Sequence, residues 1–307
     1  MKREMFGDFN PHIEKLIKKN HSNYKNRTLN RTYAISNEEL TEVFSEENLT
    51  GKRVAVVGSS GDQALNAILC GSNDVTIIDG NDFAECFIEY KIAIIKTYSF
   101  KEFKNLFFKS QVFDWKVYAK ISHLLSNREK LFWDSVMLEQ TAKDDSFDEV
   151  SPKSIKENLF FVDHRDRFSS FYFYEDQYTR LQNLLNGKNL KISYVFADVQ
   201  AFPYALSGEY DYIYLSNIYD YFYNDDKKMF KKAVAKLYKM RLAPSGKLIF
   251  NYNFCENMQA PNVFAGHKVK TKKFYRVYDG MGYLDEIWQI SKPQKTLKTK
   301  QMDGNSR

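Results

Sequence analysis

The chain has 307 residues, of which 43% are hydrophobic and 27% are charged, a composition typical of a folded globular protein. It contains no run of about 18 apolar residues and so predicts no transmembrane helix, and its amino terminus lacks the apolar core of a signal peptide. The 45 basic and 39 acidic residues give a net charge of +6, much of it in the tail 291–307. Cys70, Cys86 and Cys255 are widely spaced, which predicts reduced thiols in a cytoplasmic protein and no metal site.

Residues 1–50 have the apolar spacing of a helical lead-in. One stripe contains Ile13, Leu16 and Ile17, and a second contains Leu40, Val43 and Phe44 after the capping residues Ser36 and Asn37. The polar and aromatic stretch 23–33 lies between them. It is interpreted either as a lid over a ligand site or as a surface connector.

A strand, a glycine turn, a helix and a second strand are predicted between residues 53 and 79. The apolar run 54–57 is typical of a parallel strand that is covered on both faces. Gly58 and Gly61 bracket a tight turn that leaves room for a ligand beside the backbone, and Asp62 is placed as the N-cap of the helix. This order predicts a βαβ unit that binds its ligand at the carboxyl ends of its strands.

Asp79 ends the second strand, where its carboxylate is suited to accept hydrogen bonds from both ribose hydroxyls of a nucleoside. The spacing Gly58-x-x-Gly61 differs from the G-x-G-x-x-G of dinucleotide enzymes. Asp62 adds an acid where a pyrophosphate would bind, which disfavours NAD and favours a cationic or uncharged ligand such as S-adenosylmethionine. A βαβ unit without a nucleoside is the alternative.

The remaining chain continues this α/β pattern. Ser99 and Glu102 have the spacing of a capping box at the start of a helix. Residues 99–190 are rich in aromatic residues at helical spacing, which predicts a helical insert that covers the strand ends where an acceptor docks. The later predicted elements are strands at 192–196, 210–215 and 247–252, a helix at 225–240, and a hairpin formed by 273–278 and 283–290.

This order of elements resembles the class I S-adenosylmethionine-dependent methyltransferase fold. The resemblance implies an α/β, Rossmann-like protein with a mostly parallel seven-stranded sheet, a C-terminal antiparallel hairpin and a helical insert. The binding domain would comprise 51–98 and 191–290, with a lead-in at 1–50, an insert at 99–190 and a flexible basic tail at 291–307. A narrower similarity, to the DUF3419 family, lies in Ser60-Gly61-Asp62-Gln63-Ala64-Leu65, Asp79, Glu89-Tyr90-Lys91-Ile92-Ala93, Tyr98-Ser99-Phe100-Lys101-Glu102-Phe103 and Leu215-Ser216-Asn217-Ile218.

The resemblance implies a set of ligand-binding residues. Those beside the methionine moiety would be Gly58, Ser59, Ser60 and Gly61, with Asp62 next to them. Asp79 would hold the ribose, Asp198 would accept from the adenine amino group, and Ser216 and Asn217 would lie beneath the sulfonium. Alternatively, Asp198 is a plain strand-ending acid, and Ser216-Asn217 is a helix cap.

DUF3419 includes enzymes that transfer the 3-amino-3-carboxypropyl group of S-adenosylmethionine to diacylglycerol, so the resemblance implies this donor and a small-molecule or lipid acceptor. Methyl transfer to a small molecule, or a non-catalytic protein that binds nucleic acid or a membrane, are the alternatives, with nucleic acid less favoured. The basic termini could contact an anionic membrane or be simply solvated. The candidate bases are Tyr219, Asp220 and His164, and the candidate carboxylate-binding residues are Arg31 and Arg165.

Overall fold

The protein is described by a computed structural model over residues 32–33, 35–36, 38–81, 84–108, 114–144, 160–161, 170–171, 174–221, 226–252, 269–278 and 281–293. Several features predicted from the sequence lie outside these residues. They are the helical stripe 13–17, Cys255, and the tail beyond residue 293. Within the described part of the chain, no helix is both long enough and apolar enough to cross a membrane.

Seven strands form the main sheet. They are β1 (Arg53–Val57), β2 (Asp74–Asp79), β3 (Lys191–Phe196), β4 (Tyr210–Tyr214), β5 (Leu242–Tyr252), β6 (Val269–Tyr278) and β7 (Met281–Ser291). Their order across the sheet is β3-β2-β1-β4-β5-β7-β6, and β7 is antiparallel to both of its neighbours while β1 to β5 are parallel. This is the α/β, Rossmann-like class I methyltransferase fold that the sequence predicted, with its C-terminal antiparallel hairpin. A separate two-residue parallel pair joins Thr32–Tyr33 to Phe160–Phe161.

Strand β1 lies inside the sheet between β2 and β4, and its residues alternate between two hydrophobic cores. Val54 and Val56 belong to the core on one face, and Ala55 and Val57 belong to the core on the other. All four side chains are buried. Because both faces are covered, the strand reads as an unbroken apolar run instead of alternating with polar residues.

Helices cover both faces of the sheet. Their bounds are α1 (Leu40–Phe44), α2 (Asp62–Leu69), α3 (Ala84–Thr97), α4 (Phe100–Phe108), α5 (Trp115–Ile121), α6 (Asn127–Asp144), α7 (Glu175–Leu185), α8 (Phe202–Ala205) and α9 (Asp226–Met240). Helices α8 and α9 cover one face, and α9 buries Phe230, Val234 and Leu237 there. Helices α1, α2 and α3 belong to the opposite face.

The described helices of the insert pack on α3 and α2 as an outer layer. Trp133 on α6 donates its indole N–H to the carbonyl of Cys86 at 2.9 Å, and Tyr178 on α7 donates its hydroxyl to the carbonyl of Tyr98 at 2.8 Å. The predicted cover over the strand ends also concerns residues 145–159 and 162–169, which lie outside the described residues. That part of the interpretation stays a prediction.

Most predicted elements are confirmed, and two details were wrong. The Ser99–Glu102 capping box forms, because Ser99 N–H donates to the Glu102 carboxylate at 2.8 Å. The N-cap of α2 is Gly61, which adopts φ +81°, so Asp62 is the first helical residue. Strand β5 begins at Leu242, ahead of the predicted 247. The residues that were predicted as a turn before 247 lie within the strand, where the pairing with β4 shifts register.

Candidate active site at the strand ends

Backbone strain marks two turns at the carboxyl edge of the sheet. Among the described non-glycine residues, φ is positive at Ser59 (44°), Ser216 (57°) and Ser245 (65°). Ser59 follows β1 and Ser216 follows β4, and such strain tends to cluster at binding sites. These two strands are neighbours, and the strand order reverses between them. This crevice, called the switch point below, is where open α/β sheets bind ligands.

The turn after β1 brings backbone and carboxylate into close approach. The N–H of Gly61 donates to the carbonyl of Gly58 at 2.7 Å, which closes the turn. A Cβ atom added at Gly58 would lie 2.6 Å from Oδ2 of Asp79. Position 58 therefore has no room for a side chain as long as the Asp79 carboxylate remains where it is.

The carboxylate of Asp79 is held by backbone N–H groups on both sides. Oδ2 accepts from the N–H of Ser59 at 2.8 Å, and Oδ1 accepts from the N–H of Asn81 at 2.8 Å. Burial raises the pKa of Asp79, and the hydrogen bonds from Asn81, Ser59 and Gly80 act in the opposite direction. An ionised carboxylate has about four lone-pair sites, so both oxygens of Asp79 retain capacity to accept from a ligand's hydroxyl groups.

Asp62 forms a buried ion pair, which changes the argument made from its charge. Its Oδ1 accepts from Lys91 Nζ at 2.8 Å, its Oδ2 accepts from Ser36 N–H at 2.7 Å, and its side chain is 0% exposed. Lys91 also donates to the carbonyl of Ser60 at 2.6 Å. Burial lowers the pKa of Lys91, and Asp62 opposes this. Because the positive charge of Lys91 compensates the negative charge of Asp62, Asp62 is not expected to repel a pyrophosphate. The argument against NAD therefore rests on the glycine spacing alone.

A polar cluster that the sequence interpretation did not include lies under the switch point. The side chain of Glu38 is buried, and its Oε1 accepts from Ser216 Oγ at 2.8 Å. Its Oε2 accepts from Gln63 Nε2 at 2.9 Å. Burial raises the pKa of Glu38, while hydrogen bonds with Gln63, Ser216, Tyr214 and Asn251 lower it. From the sequence, Ser36 and Asn37 were interpreted only as capping residues before the helix, which is a local signal and does not indicate a contact between Glu38 and a strand end.

The remaining predicted ligand residues occupy the same edge of the sheet. Ser60 is buried, and its Oγ accepts from the N–H of Asp62 at 3.2 Å. Asn217 is half-buried next to Ser216. Asp198 is exposed two residues beyond Phe196, which is the register partner of Asp79. Phe196 is itself 62% exposed, an aromatic side chain at the strand end that was interpreted from sequence only as part of a strand.

Of the three candidate bases, Tyr219 is the one whose side chain the structure describes. Tyr219 is 6% exposed, and its ring packs edge-on against Phe230 with ring centroids 5.4 Å apart. It therefore belongs to the core beneath α9. The side chain of Asp220, and the whole of His164, Arg31 and Arg165, lie outside the described residues.

No protein-family model matches this chain, and no curated protein sequence matches it. The N-methyltransferase NodS from Bradyrhizobium japonicum WM9, solved with S-adenosyl-l-homocysteine, is 10% identical with a TM-score of 0.40 over 83% of this chain and 84% of that one. The rRNA methyltransferase aviRa from Streptomyces viridochromogenes is 11% identical with a TM-score of 0.39 over 83% and 82%. Magnesium protoporphyrin IX methyltransferase from Synechocystis PCC 6803, solved with bound SAM, is 11% identical with a TM-score of 0.37 over 94% and 88%. At these values the likenesses carry no argument about activity, and the fold assignment rests on strand order and direction.

Proposed function

We propose that this chain is an S-adenosylmethionine-dependent transferase. The observation that carries the proposal is the Asp79 carboxylate at the end of β2, fixed by two backbone N–H groups beside a glycine turn. Adjacent ribose hydroxyls are matched donors for its two oxygens. The absence of a side chain at Gly58 lets the glycine turn lie directly against this carboxylate.

Other residues at this edge are suited to the remaining parts of the donor. The exposed carboxylate of Asp198 is a suitable acceptor for the adenine amino group, and the exposed ring of Phe196 is a suitable surface for stacking the base. The turn at Ser59 and Ser60 would adjoin the methionine moiety. Ser216 and Asn217, which follow β4 across the switch point, would form the floor beneath the sulfonium.

The proposed reaction is transfer of the 3-amino-3-carboxypropyl group to a small-molecule or lipid acceptor, as the similarity to DUF3419 at residues 60–65 and 215–218 suggests. The nucleophile attacks the γ-carbon of the methionine moiety, and the bond from that carbon to sulfur breaks. The electron pair leaves on sulfur, which gives the neutral thioether methylthioadenosine, and the nucleophile releases its proton to a base. Because the leaving group is already excellent, the protein contributes mainly alignment and exclusion of water.

The identity of the nucleoside product tests which group is transferred. The purified protein would be incubated with S-adenosylmethionine and candidate acceptors, and the products identified by mass spectrometry. Methylthioadenosine appearing together with an acceptor enlarged by the aminocarboxypropyl group supports the proposal. S-adenosylhomocysteine together with a methylated acceptor would replace it with methyl transfer.

Binding of the donor is tested separately with an Asp79→Ala variant. This change removes the proposed ribose acceptor, so the affinity for S-adenosylhomocysteine in calorimetry should fall by roughly tenfold or more, as expected for hydrogen bonds to a charged group. Asp74→Ala is the matched control, because Asp74 lies at the opposite end of the same strand. Equal affinities in both variants and the wild type would contradict the proposed site.

A further inference from the structure

A buried carboxyl group from outside the sheet reaches the switch point. Glu38 lies in the segment before β1, and its side chain is 1% exposed. It accepts from Ser216, which follows β4, and from Gln63, the second residue of α2. Glu38 therefore connects the turn after β4 with the start of α2, and a ligand of this fold is expected to lie between these two elements.

The described side chains that hydrogen-bond this carboxyl are neutral. The hydrogen-bonding side chains are those of Ser36, Gln63, Tyr214, Ser216 and Asn251. Within the described part of the chain, no lysine, arginine or histidine forms an ion pair with it. Burial of a carboxylate without a cation is unfavourable, and such groups are candidates for functional sites.

The amide of Gln63 adds a second acceptor to the same cluster. Its Nε2 is directed to Glu38, and its Oε1 is buried without a hydrogen-bond partner. A buried acceptor left unpaired is unfavourable, and a donor at this position would remove the penalty. An ammonium group has three donors and a positive charge, so it complements both the unpaired oxygen and the uncompensated acid.

We propose that the α-ammonium group of the donor binds against this cluster of Glu38, Gln63 and Ser216, with Glu38 as its counter-charge. The inference rests on the proposed function, because S-adenosylmethionine carries an α-ammonium group on the chain that ends at the sulfonium. The cluster also gives this chain an orientation, since the donor's own carboxylate is repelled by Glu38 and must point away from it. Glu38 is thus a positioning and specificity residue for the group that is transferred.

Two ligands that differ only in this chain provide the test. S-adenosylhomocysteine contains the amino-acid end, and methylthioadenosine has the same nucleoside and a thioether but no amino-acid end. Calorimetry would give the ratio of their affinities for the wild type and for Glu38→Gln, which keeps the shape of the side chain and removes its charge. We expect this variant to lose about tenfold to a hundredfold of its affinity for S-adenosylhomocysteine and to bind methylthioadenosine as the wild type does.

Glu39→Gln is the matched control, because the same change is made one residue away on a side chain that hydrogen-bonds Thr41. It should leave the affinity ratio unchanged. Ser216→Ala is a second variant, which removes one hydrogen bond from Glu38. It should also lower the affinity for S-adenosylhomocysteine relative to that for methylthioadenosine, by a smaller factor than Glu38→Gln does. It keeps the test available if Glu38→Gln does not fold.

The outcomes separate this inference from the proposed function. If the wild type binds both ligands and Glu38→Gln weakens both by the same factor, the cluster is structural and the inference is overturned. The inference is also overturned if neither Glu38→Gln nor Ser216→Ala changes the ratio of the two affinities. A wild type that binds neither ligand refutes the proposed function itself, and the inference falls with it.

Discussion

The Lys91→Met variant tests whether the ion pair beneath the glycine turn holds that turn in place. Lys91 Nζ donates to Asp62 Oδ1 at 2.8 Å and to the carbonyl of Ser60 at 2.6 Å, and neither side chain of the pair is more than 3% exposed. Methionine keeps most of the apolar stem but leaves the Asp62 carboxylate buried without its cation. Breaking a buried pair in this way costs about 3–5 kcal/mol. A domain typically has about 5–15 kcal/mol of unfolding free energy in total.

Urea denaturation of the unliganded protein measures this loss as a lower midpoint at an unchanged m-value. Lys101→Met is the matched control, because Lys101 is exposed on α4, and it should stay within about 0.5 kcal/mol of the wild type. Combining Lys91→Met with Asp62→Asn removes both charges, so the interaction energy in the double-mutant cycle should be about 2–3 kcal/mol. A loss of less than about 1 kcal/mol in the single variant would refute the reasoning, since the unpaired carboxylate would then have found another partner or water.

Three further predictions concern the carboxyl groups of Asp79 and Glu38. Gly58→Ala should displace the Asp79 carboxylate from Ser59 N–H, since the new Cβ would lie 2.6 Å from Oδ2; we expect a loss of about 1.5–3 kcal/mol in unfolding free energy, and a smaller loss when the same change is made in an Asp79→Ala background. Burial raises the pKa of Asp79, so the affinity of the wild type for a nucleoside should fall as the pH drops through that raised pKa. The affinity of Asp79→Asn should not show this fall, because the amide does not titrate there. Burial also raises the pKa of Glu38, so the folded state binds more protons than the unfolded state between the ordinary and the raised pKa, and stability falls as the pH rises through this window. Glu38→Gln lacks this slope, and denaturation curves should show it gaining stability relative to the wild type from acidic to neutral pH; a constant difference between the two proteins would contradict the assignment.

The sheet could be predicted because its strands are covered on both faces. Val54 and Val56 pack in one core, and Ala55 and Val57 pack in the other. The run is therefore apolar throughout, and a short apolar run of this kind predicts a parallel strand. The start of β5 could not be predicted in the same way. Residues 244–246 have the composition of a turn, and only the register shift against β4 shows that the chain continues as a strand through them.

Two buried charged groups near the site, Lys91 and Glu38, were not predicted as site residues, for different reasons. Lys91 had a usable signal, because it lies three and four residues after Ile88 and Phe87, on the apolar stripe of α3. A lysine on such a stripe needs a buried partner. Glu38 had no comparable signal. Its bond to Ser216 spans 178 residues of sequence, and no local spacing rule relates two positions so far apart.

Asp62 and Glu38 differ in their charged partners, and this difference concerns ligand binding at the carboxyl edge of the sheet. Both carboxyl groups are buried, and both contact the same short segment, since Ser36 donates its N–H to Asp62 and its hydroxyl to Glu38. The chain supplies a lysine to one and only neutral donors to the other within the described residues. A carboxylate is the group that accepts at both oxygens, from Ser216 and from Gln63, whereas an amide would accept at only one of these positions. Among the described residues no cation pairs with this acid at the switch point, and a positively charged ligand would supply one.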